Sequence, residues 1–251
     1  MTLRTVSAFL VACLALGPLR GSISAPSPNL PRAPVIWAWE RPEDLRFADP
    51  DITVAVLAGF VRLTADSVQA RPRLQPARLS PTQPVIGVVH VEIARPRKPA
   101  WTAEQRARTA ALVLSLLQNP RFRAWQIDFE VRASERHILL DLLGDVRERM
   151  PPGKRLSMTA LASWCDTETW LEAAPVDDIV PMLFRMGPSG IRLRARLAAG
   201  GDWRNPRCRT AIGVASDTPP DALPPDRQVW MFNPHPWTAA DLMALRNRLR
   251  T

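Results

Sequence analysis

Residues 123–136 read RAWQIDFEVRASER, and the way this stretch alternates decides the fold. On an extended strand Trp125, Ile127, Phe129 and Val131 point one way, while Gln126, Asp128 and Glu130 point the other. The first set is apolar and belongs against helices. The second set places two carboxylates on one face, where each is costly to bury without a partner and the two repel. A barrel interior accommodates such a face, because polar residues toward the end of a barrel strand sit at the carboxyl rim, where barrel enzymes keep their active sites.

The rest of the chain supports a repeating strand and connector plan. Apolar and β-branched runs recur at 35–40, 52–63, 85–93, 125–131, 156–164, 178–184, 210–216 and 228–232, giving eight candidate strands. Between them, TAEQRARTAALVLSLLQ predicts a helix capped by Thr102, with Ala107, Ala111, Leu114 and Leu117 facing inward. SERHILLDLLGDVRERM predicts another from Ser134, with Ile138, Leu139, Leu142 and Val146 inward and a stop at Pro151. A helix over 191–199 and a last one from Thr238 complete the set, whereas 71–84 and 219–227 read as irregular and proline-rich. The expected fold is α/β, a compact (β/α)8 TIM-type barrel with some helices shortened or missing, occupying 35–251 as one domain. The alternative is an open doubly wound sheet, although no Gly-rich phosphate loop follows the first strand.

The start of the chain, MTLRTVSAFLVACLALGPLRGSIS, has an early arginine, an apolar run from Val6 to Leu16 and small residues at Ser22 and Ser24. It reads as an export signal over 1–24, with a proline-rich linker over 25–34 and a periplasmic or extracellular mature protein. The run is short for a membrane span. An alternative is a lipoprotein box, Leu10-Val11-Ala12-Cys13, that places a lipid on Cys13. Export permits disulfides, but Cys165 is expected past the carboxyl end of the fifth strand and Cys208 before the amino end of the seventh, so the two are expected not to pair.

The net charge of +9 suggests phosphate binding at first sight. Apart from Lys98 and Lys154, however, every Lys/Arg residue is an arginine, and the arginines are spread along the chain with no nucleic-acid-binding signature. No nucleic-acid partner is expected. The chain has three histidines with no metal-ligand spacing on one element, no Gly-x-Ser-x-Gly elbow and no cofactor motif, so neither a metal nor a cofactor is expected.

Tryptophan occurs nine times and tyrosine never. Trp37, Trp39, Trp164, Trp230 and Trp237 fall at or just past strand ends, where flat rings stack on sugar faces or else pack in the core. Glu40, His90, Glu92, Asp166, Phe184, Arg185, Asp217 and Asn233 are further strand-end candidates, and His90 and Glu92 share a strand face. The substrate-binding set is therefore Trp37, Trp39, Glu40, His90, Glu92, Trp164, Phe184, Arg185, Trp230 and Asn233, around Asp128 and Glu130 as the catalytic pair.

WQIDFE resembles the second half of the Asp-x-x-Asp-x-Asp-x-Glu signature on the fourth strand of chitinase-type glycoside hydrolase barrels. That resemblance implies Glu130 as general acid and Asp128 as the residue that orients a substrate acetamido group. Gln126 stands where that family has an aspartate, and in MLFR on the sixth strand Phe184 and Arg185 replace its Tyr and Asp. Trp230 matches its last-strand tryptophan. VIWAWER, QIDFE, LSMTALASWC and VPMLFRMG, in that order, more closely resemble the bacterial family called domain of unknown function 3142, over about 35–250. The expected role is carbohydrate hydrolysis, with a non-catalytic glycan- or protein-binding barrel as the alternative. Asp128 is expected to accept a hydrogen bond from Glu130, and the amide variants of both are expected to leave the melting temperature unchanged or slightly raised.

Overall fold

The computed structural model describes residues 33–187 and 189–249. The expected export signal, Cys13 and residues 25–32 of the linker lie outside the described residues. Eight strands form a closed parallel barrel: β1 (Val35–Ala38), β2 (Thr53–Leu63), β3 (Val85–Ile93), β4 (Phe122–Phe129), β5 (Arg155–Leu161), β6 (Asp178–Met182), β7 (Ala211–Ala215) and β8 (Gln228–Phe232). Each strand pairs in parallel with its sequence neighbour, and β1 closes the ring by pairing with both β8 and β2. All eight expected strands are present, trimmed or shifted by a few residues at their ends.

The outer layer is uneven, as the clipped connectors predict. Helices α1 (Ala103–Leu117), α2 (Arg136–Arg149), α4 (Ser189–Ala198) and α5 (Ala239–Arg248) are joined by a single-turn α3 (Trp164–Thr167). No helix separates β2 from β3. An antiparallel strand, Val68–Pro72, folds back on β2 instead. The chain then forms a two-residue pairing of Ala77–Arg78 with Glu43–Asp44. Among the described residues no helix is long and apolar enough to cross a membrane.

The two faces of β4 behave as the alternation requires. Trp125, Ile127 and Phe129 enter the core between barrel and helices, along with Leu139, Leu142 and Val146 of α2. Inside the barrel a second apolar cluster contains Val35, Trp37, Ala55, Val88, Val180 and Trp230. It fills the lower interior and leaves the polar residues of β3, β4 and β5 above it.

Three expectations are corrected. The buried face of α1 carries Gln105, Thr109, Ala110, Val113 and Leu117, while Ala107 and Ala111 are exposed. The two polar members are satisfied, since Gln105 Nε2 donates to the carbonyls of Thr64 and Ser67 and Thr109 Oγ1 donates to Gln105 O. Ser134 is not the cap of α2, which follows a 3-10 turn whose Glu135 accepts from the Arg132 N–H and is clamped by Arg95. Finally, Cys165 and Cys208 form a disulfide with Cα atoms 5.9 Å apart. The strand placement that argued against the bond is right, but neither cysteine lies on a strand. Cys165 is on α3, Cys208 is on the 3-10 turn Pro206–Cys208, and Asn205 N donates to Cys165 O at 3.0 Å, so both meet in the outer layer.

Candidate active site

The site is built where the carboxyl ends of β3, β4 and β5 come together. Parallel register pairs His90 with Asp128, so the two side chains project side by side into the barrel. The imidazole Nδ1 donates to Asp128 Oδ2 at 2.6 Å, and Thr159 Oγ1 of β5 donates to Asp128 Oδ1 at 2.5 Å. Asp128 is only 7% exposed, so these two bonds hold a buried carboxyl in one orientation. Beneath it Gln126 accepts from Trp37 Nε1 at 2.7 Å and donates to Ser157 Oγ at 3.3 Å, forming a polar floor over the inner apolar cluster.

Glu130 lies one residue past β4, exposed at the mouth. Among the described residues no side chain hydrogen-bonds or ion-pairs with it, and no arginine reaches Asp128. The pair is therefore not a scaffold for arginines. Although the residue is exposed, partial desolvation of its carboxyl by the surrounding atoms, followed by the charge of Asp128, raises the pKa of Glu130 above the usual carboxylate value; the His90 charge pulls it partly back. The expected hydrogen bond from Glu130 to Asp128 is absent among the described residues; the Asp128 oxygens are engaged by His90 and Thr159 instead. For His90, burial disfavours the imidazolium, but the hydrogen bond to Asp128 and the charges of Asp128, Glu92 and Glu130 outweigh it and raise its pKa above 6.5.

Aromatic rings wall the mouth. Trp39 and Phe60 each present an edge to the His90 ring, with centroids 5.8 and 5.7 Å away. Phe184 stacks on Phe232 at 5.5 Å, and the Arg185 guanidinium lies 5.3 Å from the Phe232 centroid. Phe60 reaches this position through a register shift in β2 between Leu57 and Gly59. Gly59 is required there, as a Cβ would come within 2.5 Å of Arg71 O.

Of the expected site residues, Trp39, His90, Glu92, Asp128, Glu130, Phe184 and Arg185 are at the mouth. Glu92 is exposed on its rim and pairs with Arg62 at 3.4 Å. Five others are corrected. Trp37 and Trp230 are 3% and 2% exposed inside the barrel and contact each other there, so neither offers a face to a sugar. Trp164 packs edge-on against Trp170 in the outer core. Asn233 is buried and accepts from Ser216 Oγ at 2.7 Å, shaping the turn after β8. Glu40 braces the loop after the Val68–Pro72 strand, accepting from the N–H groups of Leu74 and Gln75 and from Arg71. Burial raises its pKa, but those bonds win and the net shift is downward. Trp237 is likewise buried and donates to Trp37 O. Asp166, a candidate second carboxylate, is taken by Arg196. Thr159, Phe60 and Phe232 were not picked out from the sequence. Thr159 shares the inward parity of β5, but only the cross-strand register places it on Asp128.

No protein-family model matches the chain, so the resemblance to domain of unknown function 3142 rests on the quoted motifs. No curated protein matches it either. Among solved structures, the crystal structure of the Bacillus cereus spore cortex-lytic enzyme SleL is similar, with a TM-score of 0.48 and 17% identity. The match covers 74% of this chain and 51% of that one, so this chain spans about half the length of that protein.

The arrangement predicts that Asp128 and Glu130 respond differently to neutralisation. Asp128→Asn places an amide N–H against either His90 Nδ1–H or Thr159 Oγ–H, and the expected loss is about 1–3 kcal/mol in urea unfolding. Glu130→Gln breaks no bond and is expected to be neutral. Equal stability of the two variants would contradict this assignment of partners and restore the expectation from sequence.

Proposed function

We propose that this protein is an exported, glycan-cleaving barrel hydrolase in which Glu130 is the general acid and Asp128 positions the reacting group. The observation that supports this reading best is the asymmetry of the pair. Asp128 is bonded through both oxygens and held in place, while Glu130 is unbonded, opens to the mouth and has a raised pKa. A carboxyl that keeps its proton beside one locked in position is the division of labour that glycoside cleavage requires. Glu130 would donate its proton to the glycosidic oxygen as its bond to the anomeric carbon breaks; that carbon gains its new bond from a water oxygen, and the proton that water gives up returns to Glu130. Asp128, fixed by His90 and Thr159, would orient the substrate group next to that carbon. Glu40 and Asp166 are occupied by arginines and backbone, so neither is free to act as a separate base or nucleophile. The Trp39 and Phe184 rings offer apolar surface against which pyranose C–H groups pack. The Cys165–Cys208 bond is in keeping with an oxidising compartment, and with the export signal read from the first residues.

A second reading, a barrel that binds glycan without cleaving it, is favoured by the end of β6. There Phe184 and Arg185 stand where chitinase-type barrels have Tyr and Asp. Reducing-sugar release from a panel of neutral and acidic polysaccharides, run beside Glu130→Gln, separates the two. Turnover by the wild type that the variant lacks supports the hydrolase, and binding without release by either supports the second reading.

The raised pKa values of His90 and Glu130 have one sign in folding. Each group binds its proton more tightly folded than unfolded, so each contributes stability that is fully present below its unfolded pKa and lost as pH rises through the folded one. The melting temperature is expected to decline as pH rises past 6.5, and His90→Gln is expected to flatten that decline. Thermal melts across this range check it; a melting temperature that rises with pH there would refute the charge assignment of His90.

A further inference from the structure

A cavity of about 550 Å3 lies beside the mouth, between the carboxyl ends of β5 and β6 and helices α3 and α4. Its size falls within the ~300–1,000 Å3 of small-ligand sites. Neither Asp128 nor Glu130 lines it; it adjoins the mouth through Phe184 and Arg185, which touch the Phe232 ring. Its charge is lopsided. Arg185, Arg192, Arg196 and Arg204 face a single carboxylate, Asp166. Arg196 holds both Asp166 oxygens, and Arg204 is 4.0 Å away. Arg185 and Arg192 have no ion-pair partner among the described residues. Arg185 is also held at φ 52, in the left-handed region that a non-glycine residue adopts at a cost. That backbone carries its guanidinium over Phe232, at the boundary between mouth and cavity.

Elsewhere in the fold, many arginines are consumed by structure: Arg73 and Arg207 bind backbone carbonyls, and Arg95, Arg106 and Arg147 bind carboxylates, while Arg97, Arg108, Arg123 and Arg149 stand exposed on the surface. What sets Arg185 and Arg192 apart is that both line one concave wall, together with Arg196 and Arg204. Guanidinium groups pair their N–H donors with two oxygens of a carboxylate or of a tetrahedral oxyanion, and a concave wall raises local anion concentration.

We propose that this cavity is a subsite for an anionic group on a sugar, a ring carboxylate or an ester sulfate, so that the glycan recognised is acidic. The inference rests on the glycan reading above and deepens it. It is tested by binding alone. The full chain carrying Glu130→Gln is titrated calorimetrically at low and high salt with three probes: tri-galacturonate, a chondroitin sulfate oligosaccharide and neutral triacetylchitotriose. At least one anionic probe is expected to bind ten-fold or more tighter than the neutral one, with a preference that shrinks as salt rises; which anion wins identifies the source of the charge. Adding Arg192→Gln, on the exposed face of α4, is expected to reduce the preference several-fold while leaving neutral-sugar affinity unchanged, and adding Arg185→Gln as well to abolish the preference. Equal affinity for all three probes, or a preference that survives both substitutions, overturns the subsite. Failure of the hydrolase reading is recognised separately, as absence of turnover by the wild type, and leaves this binding comparison intact.

Discussion

Glu130→Gln is expected to lower kcat on a cleavable glycan by roughly 100- to 10,000-fold, the usual contribution of a positioned general acid, with KM and unfolding midpoint little changed. The amide keeps the shape of the side chain and removes the transferable proton. Because no side chain among the described residues is bonded to Glu130, the change leaves none of them unpaired. On the hydrolase reading the wild-type profile is expected to carry a matching signature: rate should fall as pH rises through the Glu130 pKa, which desolvation and then the charge of Asp128 raise from the ordinary value. Asp128→Asn removes that negative neighbour, so the fall should move to lower pH in the surviving activity. Steady-state rates across pH for the three proteins check the assignment. Undiminished turnover by Glu130→Gln would remove Glu130 from the chemistry.

Much of this arrangement was legible in the sequence, and the limits have physical causes. The alternation in QIDFE fixed which way Asp128 and Glu130 point, because strand parity is a local property. Height within the barrel is not local. Trp37 and Trp230 have the same inward parity as the mouth residues, yet Trp230 pairs with Val35, the first residue of β1, which sets it low in the interior. Strand stagger is a property of the closed ring, so the sequence offers no way to tell a mouth tryptophan from a floor tryptophan. Phe60 was hidden for a different reason: the irregularity before Gly59 reverses the parity of β2, and an isolated glycine in an apolar run only hints at it. The partners of Asp128 depended on the register of β3 and β5 against β4, which again is set by the whole sheet. On α1, alanine at positions 107 and 111 suggested an inward stripe, but alanine is tolerated on either side of a helix. The buried amide of Gln105 chose the true face by bonding to carbonyls of the hairpin after β2.

The disulfide is the expectation that failed outright, and its removal is the other large effect expected. Cys165 and Cys208 enclose a sequence separation of 43 residues, which spans the 3-10 turn after α3, all of β6 and α4. Closing a loop of that length restricts the unfolded chain by about 4 kcal/mol in the chain-entropy description. At ~2–4 °C per kcal/mol for a domain of this size, reduction or the Cys165→Ala/Cys208→Ala pair should lower Tm by roughly 8–16 °C. Both sulfurs are fully buried in the outer core, so the alanine pair also loses packing and should fall at the larger end. The same segment carries Met182, Phe184, Arg185 and α4, so loosening it should weaken the binding of an anionic probe to the arginine-lined cavity while leaving Asp128, His90 and Thr159, which lie outside the loop, in register. Calorimetric melts with and without reductant, together with thiol titration of the denatured protein, decide the matter. Titratable thiols at both Cys165 and Cys208 in the oxidised protein, or identical melts, would mean that the bond does not form, and would remove the argument for an oxidising compartment that rests on it.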